Sequence, residues 1–322
     1  MKIIQVTNVY QDEVLNIVQE CLPKGFCVRV LQNNSVEELE RCIVDADYLL
    51  ASGRIKIDEK VLGKAKKLKM IQRTGVGLDS LNLEDIRKKN IPLYVNQGVN
   101  AESVAEHALL MIMASLRKLV QINAKMKSGV WNKQQQGIET KELSGRKVGI
   151  IGMGKIGRRL AELLKGFNTG VIYYDKYTLT AEEEQKLEVV NVDIDTLFKT
   201  ADIITLHCPL TSDTEKIICG ETLNQMKEGV IIINTSRGGL ICETALIEAL
   251  ENHKVGAVGL DVYEEEPINH KSKLLKMDNV ITTPHIGGIT YDSFKNMMQM
   301  AMNNIKKFDE NQLGEIAVSK YL

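Results

Sequence analysis

Three residues able to hold an oxyanion or move a proton stand beside apolar runs in the second half of the chain: Arg237, Glu266 and His285. Arg237 lies in Thr235-Ser236-Arg237-Gly238-Gly239, directly after the apolar run 230–234. Its guanidinium is always charged and forks onto a carboxylate or carbonyl oxygen. His285 follows Pro284 after another short apolar run, and an imidazole is the side chain best suited to exchanging protons near neutrality. Glu266, just before Pro267, is placed to hold that imidazole and favour its charged form. His207 and Asp261 end two further apolar runs, 202–206 and 255–260. Any of these residues alone is ordinary at the end of a strand. Together they supply an anchor, a polariser of a C–O bond and a proton carrier, as a redox reaction at an alcohol or ketone carbon requires.

The elements that must position them begin with residues 146–175, which read as strand, glycine turn, helix and strand. The run 147–151 is apolar enough to be buried on both faces of a parallel sheet. Gly152, Gly154 and Gly157 then form G-x-G-x-x-G: the first for the tight turn, the second for close approach to a pyrophosphate, the third for helix–strand packing. The phosphates fit the free N–H groups at the helix start. Ile156, Leu160, Leu163, Leu164 and Phe167 share one helical face, with Gly166 and Gly170 expected to end the helix. The next strand, 171–174, runs into Asp175, whose carboxylate can accept from both adenosine ribose hydroxyls and repels a 2′-phosphate. A glycine motif alone is a weak sign; the full order of elements around it predicts a dinucleotide site with NAD as cofactor.

Strand patterns alternate with helical ones elsewhere. Candidates in the first hundred residues are strands 3–6, 27–30, 48–51, 70–72 and 93–95, with helices 12–21 and 36–43, the second capped by Ser35. This alternation predicts βαβ units and parallel sheets, hence an α/β fold. Two turns there follow strand ends, where open α/β sheets bind ligands: Ser52-Gly53-Arg54 and Arg73-Thr74-Gly75-Val76-Gly77. Local sequence alone reads the second as a simple chain reversal. From Asn100 a helix follows that is apolar over most of its surface, with Ser103 and Glu106 as a capping box; it reads as an interdomain or subunit-packing element. Residues 132–140 read as a loop. Strands 202–206, 229–234, 255–260 and 279–282 end at His207, Arg237, Asp261 and His285, so these groups are expected along one sheet edge beside the dinucleotide. A last amphipathic helix runs from 290 to about 307.

Bulk properties bound the rest. At 322 residues, two domains are the natural expectation. A net charge of −1 gives no reason to expect nucleic acid or an anionic membrane as a partner. No apolar stretch reaches the roughly 18 residues of a membrane helix, and the amino terminus has no signal-peptide pattern, so a cytoplasmic location is expected. The six cysteines occur without C-x-x-C pairs, which argues against a zinc site or disulfide framework; no metal is expected.

These motifs resemble the D-isomer-specific 2-hydroxyacid dehydrogenase family, which includes phosphoglycerate, glyoxylate/hydroxypyruvate and D-lactate dehydrogenases. The resemblance rests on SVAEH at 103–107, GMGKIG at 152–157, LHCPLT at 206–211, NTSRGG at 234–239, LDVYEEEP at 260–267 and TPHIGG at 283–288. It implies two doubly wound parallel-sheet domains: a Rossmann cofactor domain, 99–289, inserted into a flavodoxin-like substrate domain, 1–98 plus 290–322, with a cleft that closes on substrate. It implies Arg237, Glu266 and His285 as the catalytic set. Lys155 and Ile156 would contact the pyrophosphate and Asp175 the ribose. His207, Cys208, Pro209, Thr235, Ser236, Asp261, Gly287 and Gly288 would surround the nicotinamide end. Val76 and Gly77 would hold the substrate carboxylate through backbone, and Arg54 a phosphate or second carboxylate. The helix beginning near Ser103 would form a homodimer. The end at Leu322 is read as the absence of a carboxy-terminal regulatory domain, and Glu266 as an argument against a formate dehydrogenase. The expected reaction interconverts a small D-2-hydroxy acid and its 2-keto acid, with 3-phosphoglycerate or glyoxylate/hydroxypyruvate as candidate substrates. An NAD-sensing binding protein, similar to corepressors of the same fold, and an enzyme acting on another donor such as phosphite remain alternatives.

Overall fold

The computed structural model describes residues 1–52 and 55–312. The described chain forms two compact units, one built from Met1–Asn100 with the segment from Thr290 on, the other from Ala101–Ile289.

In the first unit, strands β1 (Lys2–Val6), β2 (Phe26–Arg29), β3 (Tyr48–Ala51), β4 (Met70–Arg73) and β5 (Leu93–Val95) form one sheet in the order β2-β1-β3-β4-β5, all parallel. Parallel neighbours need crossovers, and helices supply them. Their starts are written locally: Ser35 accepts from the Glu38 N–H (3.2 Å), Asp58 from that of Lys60 (3.0 Å) and Asn82 from that of Asp85 (3.3 Å), each satisfying an orphan donor. The last helix, Tyr291–Asp309, is tied to β4 and β5 by buried amides. Gln72 donates to Asn96 (3.1 Å), Asn304 to Gln72 (3.2 Å), and Asn96 to the Met297 carbonyl (2.9 Å).

In the second unit, β6 (Lys147–Ile151), β7 (Gly170–Tyr174), β8 (Val189–Asn191), β9 (Ile203–Leu206), β10 (Val230–Asn234), β11 (Val255–Leu260) and β12 (Val280–Thr282) are ordered β12-β11-β10-β9-β6-β7-β8. All pairs are parallel. The order reverses between β6 and β9, which is the switch point where open α/β sheets bind ligands. All five residues of β10 are buried, as a central strand covered on both faces must be.

Several local expectations are overturned. Helix Lys155–Leu164 ends in a 3-10 turn, Lys165–Phe167, and at Asn168, which takes the left-handed conformation (φ 52°). Neither Gly166 nor Gly170 stops it; Gly170 already opens β7. Residues Lys133–Ile138 are helical rather than looped. The helix that carries Ser103 runs Ala101–Leu116, so Ser103 sits inside its first turn and does not cap it. Its apolar side packs on helix Lys155–Leu164, β10 and β11 of its own unit. Leu110, on the same helix, is exposed.

Candidate active site

Strand register places the polar residues of the second unit. Ile151 pairs with Tyr174 on one side and Leu206 on the other; Leu206 pairs with Asn234, Asn234 with Leu260, and Leu260 with Thr282. The residue following each of these therefore lies in one row across the carboxyl edge: Asp175, Gly152, His207, Thr235, Asp261 and Thr283. Neighbours in such a row stand about 4.8 Å apart. His207 and Asp261 stand in the expected row, which straddles the switch point, while Arg237 and His285 lie two residues beyond it in the loops after β10 and β12.

Beside the switch point Gly152 adopts φ +99°, and a Cβ there would run into the Cys208 amide and the His207 carbonyl carbon. The first glycine therefore lets the loops after β6 and β9 touch. Gly157 packs its helix onto the turn so closely that a Cβ would strike the Gly152 carbonyl, whereas Gly154 faces open space. An open position flanked by two constrained glycines is the cradle a pyrophosphate needs. Lys155 and Ile156 are the first two residues of the helix that follows. Asp175 accepts the Met153 N–H (2.6 Å) on one carboxylate oxygen and the Tyr177 N–H (2.8 Å) on the other. It thus holds the glycine loop, and each oxygen keeps a lone pair for a ribose hydroxyl.

Beyond the switch point, Ser236 donates to the Cys208 carbonyl (2.6 Å), and Asn234 braces the next turn by accepting from Ser236 N (3.1 Å) and donating to the Arg237 carbonyl (2.9 Å). Arg237 gives one guanidinium N–H to the Ser236 carbonyl (2.7 Å). Gly238 lies so close to the Tyr263–Glu264 backbone that any Cβ would overlap it, which brings the arginine turn against the acidic segment. Burial pushes the Cys208 thiol up to about 11, so it is a neutral packing group. His207 meets Thr205 Oγ1 through Nε2 (2.9 Å), while its Nδ1 is buried without a partner among the described residues; burial pushes the imidazole down to about 3 and keeps it neutral. Thr235 Oγ1 is likewise buried and unpartnered among the described residues. Two unpaired polar atoms beside a glycine cradle fit a bound polar ring and its amide.

His285 has φ +59°, a conformation non-glycine residues rarely adopt. Its Nδ1 is 2.7 Å from Glu266 Oε2, and the other oxygen of Glu266 accepts the Tyr263 N–H (3.2 Å). With Nδ1 committed, Nε2 is the nitrogen left to exchange a proton, and the ring is 41% exposed. Asp261, 1% exposed, accepts Thr283 Oγ1 (2.6 Å), Ile286 N (2.8 Å) and Gly287 N (2.7 Å). Sequence reasoning did not single out Thr283, Ser103 or His107 as site residues; Ser103 donates to the Gly287 carbonyl (2.7 Å) and His107 Nε2 meets Thr283 Oγ1 (3.0 Å). The available signal was their i,i+4 spacing within SVAEH.

In the first unit, Arg73 donates from Nε to the Gly77 carbonyl (2.7 Å) and from Nη1 to the Ala51 carbonyl (3.1 Å). The turn carrying Val76 and Gly77 is thus fastened to the end of β3, with Val76 exposed. Arg54 lies outside the described residues. Among the described residues no cluster of three metal-ligating side chains exists, and no helix is long and apolar enough to cross a membrane.

A parallel sheet in this order with this glycine turn defines a dinucleotide-binding dehydrogenase fold. Residues 109–287 match the family model described as "D-isomer specific 2-hydroxyacid dehydrogenase, NAD binding domain". The hydroxypyruvate reductase of Thermotoga maritima is 40% identical over 259 residues, covering 80% of this chain and 83% of that protein. The D-3-phosphoglycerate dehydrogenase of Archaeoglobus fulgidus is 37% identical over 282 residues, or 87% of this chain and 53% of that one. The crystal structure of D-lactate dehydrogenase from Aquifex aeolicus complexed with NAD and lactic acid superposes with a TM-score of 0.85 at 29% identity, covering 97% and 96% of the two chains. The chain belongs to the D-isomer specific 2-hydroxyacid dehydrogenase family. It is an oxidoreductase that acts on a CH–OH group with NAD as cofactor.

Proposed function

We propose that the protein interconverts a small D-2-hydroxy acid and its 2-keto acid, with glyoxylate, hydroxypyruvate or phosphohydroxypyruvate as the keto acid. The observation that carries this reading is the 2.7 Å contact between Glu266 and His285 Nδ1 at the carboxyl edge of a dinucleotide-type sheet. Bound NAD supplies or accepts the hydride. His285 gives a proton from Nε2 to the carbonyl oxygen in the reduction and takes it back in the oxidation, a service worth roughly 10²- to 10⁴-fold in rate. Glu266 holds the ring through Nδ1 and leaves Nε2 to face the substrate. Arg237 anchors the substrate carboxylate and draws charge onto the carbonyl oxygen.

Gly152, Gly154, Lys155, Ile156 and Gly157 hold the pyrophosphate, and Asp175 holds the adenosine ribose. His207, Cys208, Pro209, Thr235, Ser236, Asp261, Gly287 and Gly288 surround the nicotinamide. Val76 and Gly77 bind the substrate carboxylate through backbone N–H groups, and Arg54 contacts a phosphate where the substrate has one. The first unit is the substrate-binding domain. The protein works as a homodimer in the cytoplasm, without nucleic acid or membrane partners.

The test follows NADH absorbance with glyoxylate, hydroxypyruvate, phosphohydroxypyruvate, pyruvate and a branched keto acid, for the native protein and for His285→Gln. Turnover of one of them, lost in the variant while NADH still binds, is the expected result. No turnover on any of them with NADH tightly bound overturns the proposal in favour of an NAD-sensing protein or another donor.

A further inference from the structure

The amino-terminal turns of helix Ala101–Leu116 touch the His285 loop at two points. Ser103 donates to the Gly287 carbonyl (2.7 Å), and His107, one helical turn on, reaches Thr283 Oγ1 (3.0 Å). Thr283 Oγ1 is also 2.6 Å from Asp261 Oδ1. A buried carboxylate cannot donate, so the threonine proton points to Asp261, and His107 must present Nε2–H to the threonine oxygen. The result is a directed chain, His107 to Thr283 to Asp261. Asp261 then takes the N–H groups of Ile286 (2.8 Å) and Gly287 (2.7 Å), the two residues after His285. The approach is so tight that a Cβ on Gly287 would stand 2.9 Å from Asp261 Oδ2 and 3.2 Å from His107 Cδ2.

His285 itself is held at φ +59°, a strained backbone state for a non-glycine residue that persists only where surrounding structure over-determines it. None of the contacts just described touches its imidazole. They fix the chain two residues before it and two residues after it.

We propose that Ser103 and His107 are positioning residues: acting through Thr283, Asp261 and Gly287, they hold the backbone of His285 in its left-handed state and so aim its imidazole. The proposal rests on the reading of His285 as the proton carrier. Ser103 and His107 thereby act on the reaction through the backbone of the His285 loop.

The test compares the native protein with Ser103→Ala, His107→Leu, His107→Gln and His285→Gln. Amide hydrogen exchange at Ile286 and Gly287 is measured in each, together with NADH affinity and keto acid turnover. Ser103→Ala and His107→Leu should raise exchange at those two amides at least tenfold and lower kcat at least tenfold, with NADH affinity changed less than threefold. His107→Gln, whose amide can still donate to Thr283, should recover most of both losses. Unchanged exchange in Ser103→Ala and His107→Leu would overturn the bracing itself. Faster exchange with native kcat, in a protein that His285→Gln inactivates, would overturn its functional meaning. Retained turnover in His285→Gln would instead remove the reading of His285, while the exchange result would still decide the bracing. Equal loss of NADH affinity and kcat would show that the pair serves the cofactor and would also overturn the proposal. Should His107→Leu fail to fold, Ser103→Ala, which deletes a single oxygen, decides the matter.

Discussion

His207 makes stability depend on pH in a way that can be worked from its surroundings. The unfolded imidazole has an ordinary pKa of about 6.5, while burial pushes the folded one down to about 3. A charged ring would carry an N–H on both nitrogens, and only Nε2 has a partner, Thr205, among the described residues. Between these values the unfolded chain binds a proton that the folded chain refuses, so acid favours unfolding. The sign is therefore fixed: the contribution is intact above about pH 6.5 and is lost as pH falls toward 3. At about 1.36 kcal/mol per pH unit, lowering pH from 7.5 to 5.5 costs about 1.4 kcal/mol, and reaching pH 4.5 about 2.7 kcal/mol. In His207→Gln this loss disappears, because the amide does not titrate. The assay is urea unfolding of the two proteins, followed by circular dichroism at each pH; the other acidic and basic groups are shared, so the difference of differences isolates residue 207. A ring C2–H resonance identified by its absence from the variant should stay flat to below pH 4. Equal pH slopes for the two proteins, or a resonance that titrates near pH 6.5, would refute the argument.

Three further outcomes follow from the same edge of the sheet. In Gly152→Ala the new methyl meets the Cys208 amide at a positive φ; overpacking should cost about 1–3 kcal/mol of stability and weaken NADH at least tenfold by calorimetry, and native affinity would show that the turn has slack. Glu266→Gln removes the carboxylate 2.7 Å from His285 Nδ1, so kcat for keto acid reduction should fall at least tenfold with NADH affinity little changed; a native kcat would mean that the contact does not serve the reaction. Asp175→Ser removes the charge that repels a 2′-phosphate along with an acceptor for Met153 N–H. The kcat/KM with NADH should fall about tenfold while that with NADPH rises, and an unaltered preference would place the discrimination elsewhere.

Much of the fold was legible because the determinants are local. Strands such as Lys147–Ile151 and Val255–Leu260 are short apolar runs bounded by glycine or polar residues, and a run buried on both faces must look like that. Ser35 caps its helix as expected because its partner is three residues away. Ser103 carries the same kind of pattern and does something else: its partner is Gly287, 184 residues distant, and no window along the chain contains both. Residues Lys133–Ile138 carry no strong apolar period, so composition favoured loop where a short and almost wholly exposed helix forms.

The amino-acid sequence by itself determined the class of fold and the dinucleotide turn, and it set Arg237, Glu266 and His285 just beyond apolar runs, because residue type and order along the chain settle what chemistry is available. Only tertiary structure decided how that chemistry is arranged. Register across five strand pairs sets Asp175, Gly152, His207, Thr235, Asp261 and Thr283 in one row. Burial, which no residue carries in its own formula, makes His207 a neutral ring, and the Thr283 hydroxyl, its proton given to Asp261, makes His107 a donor.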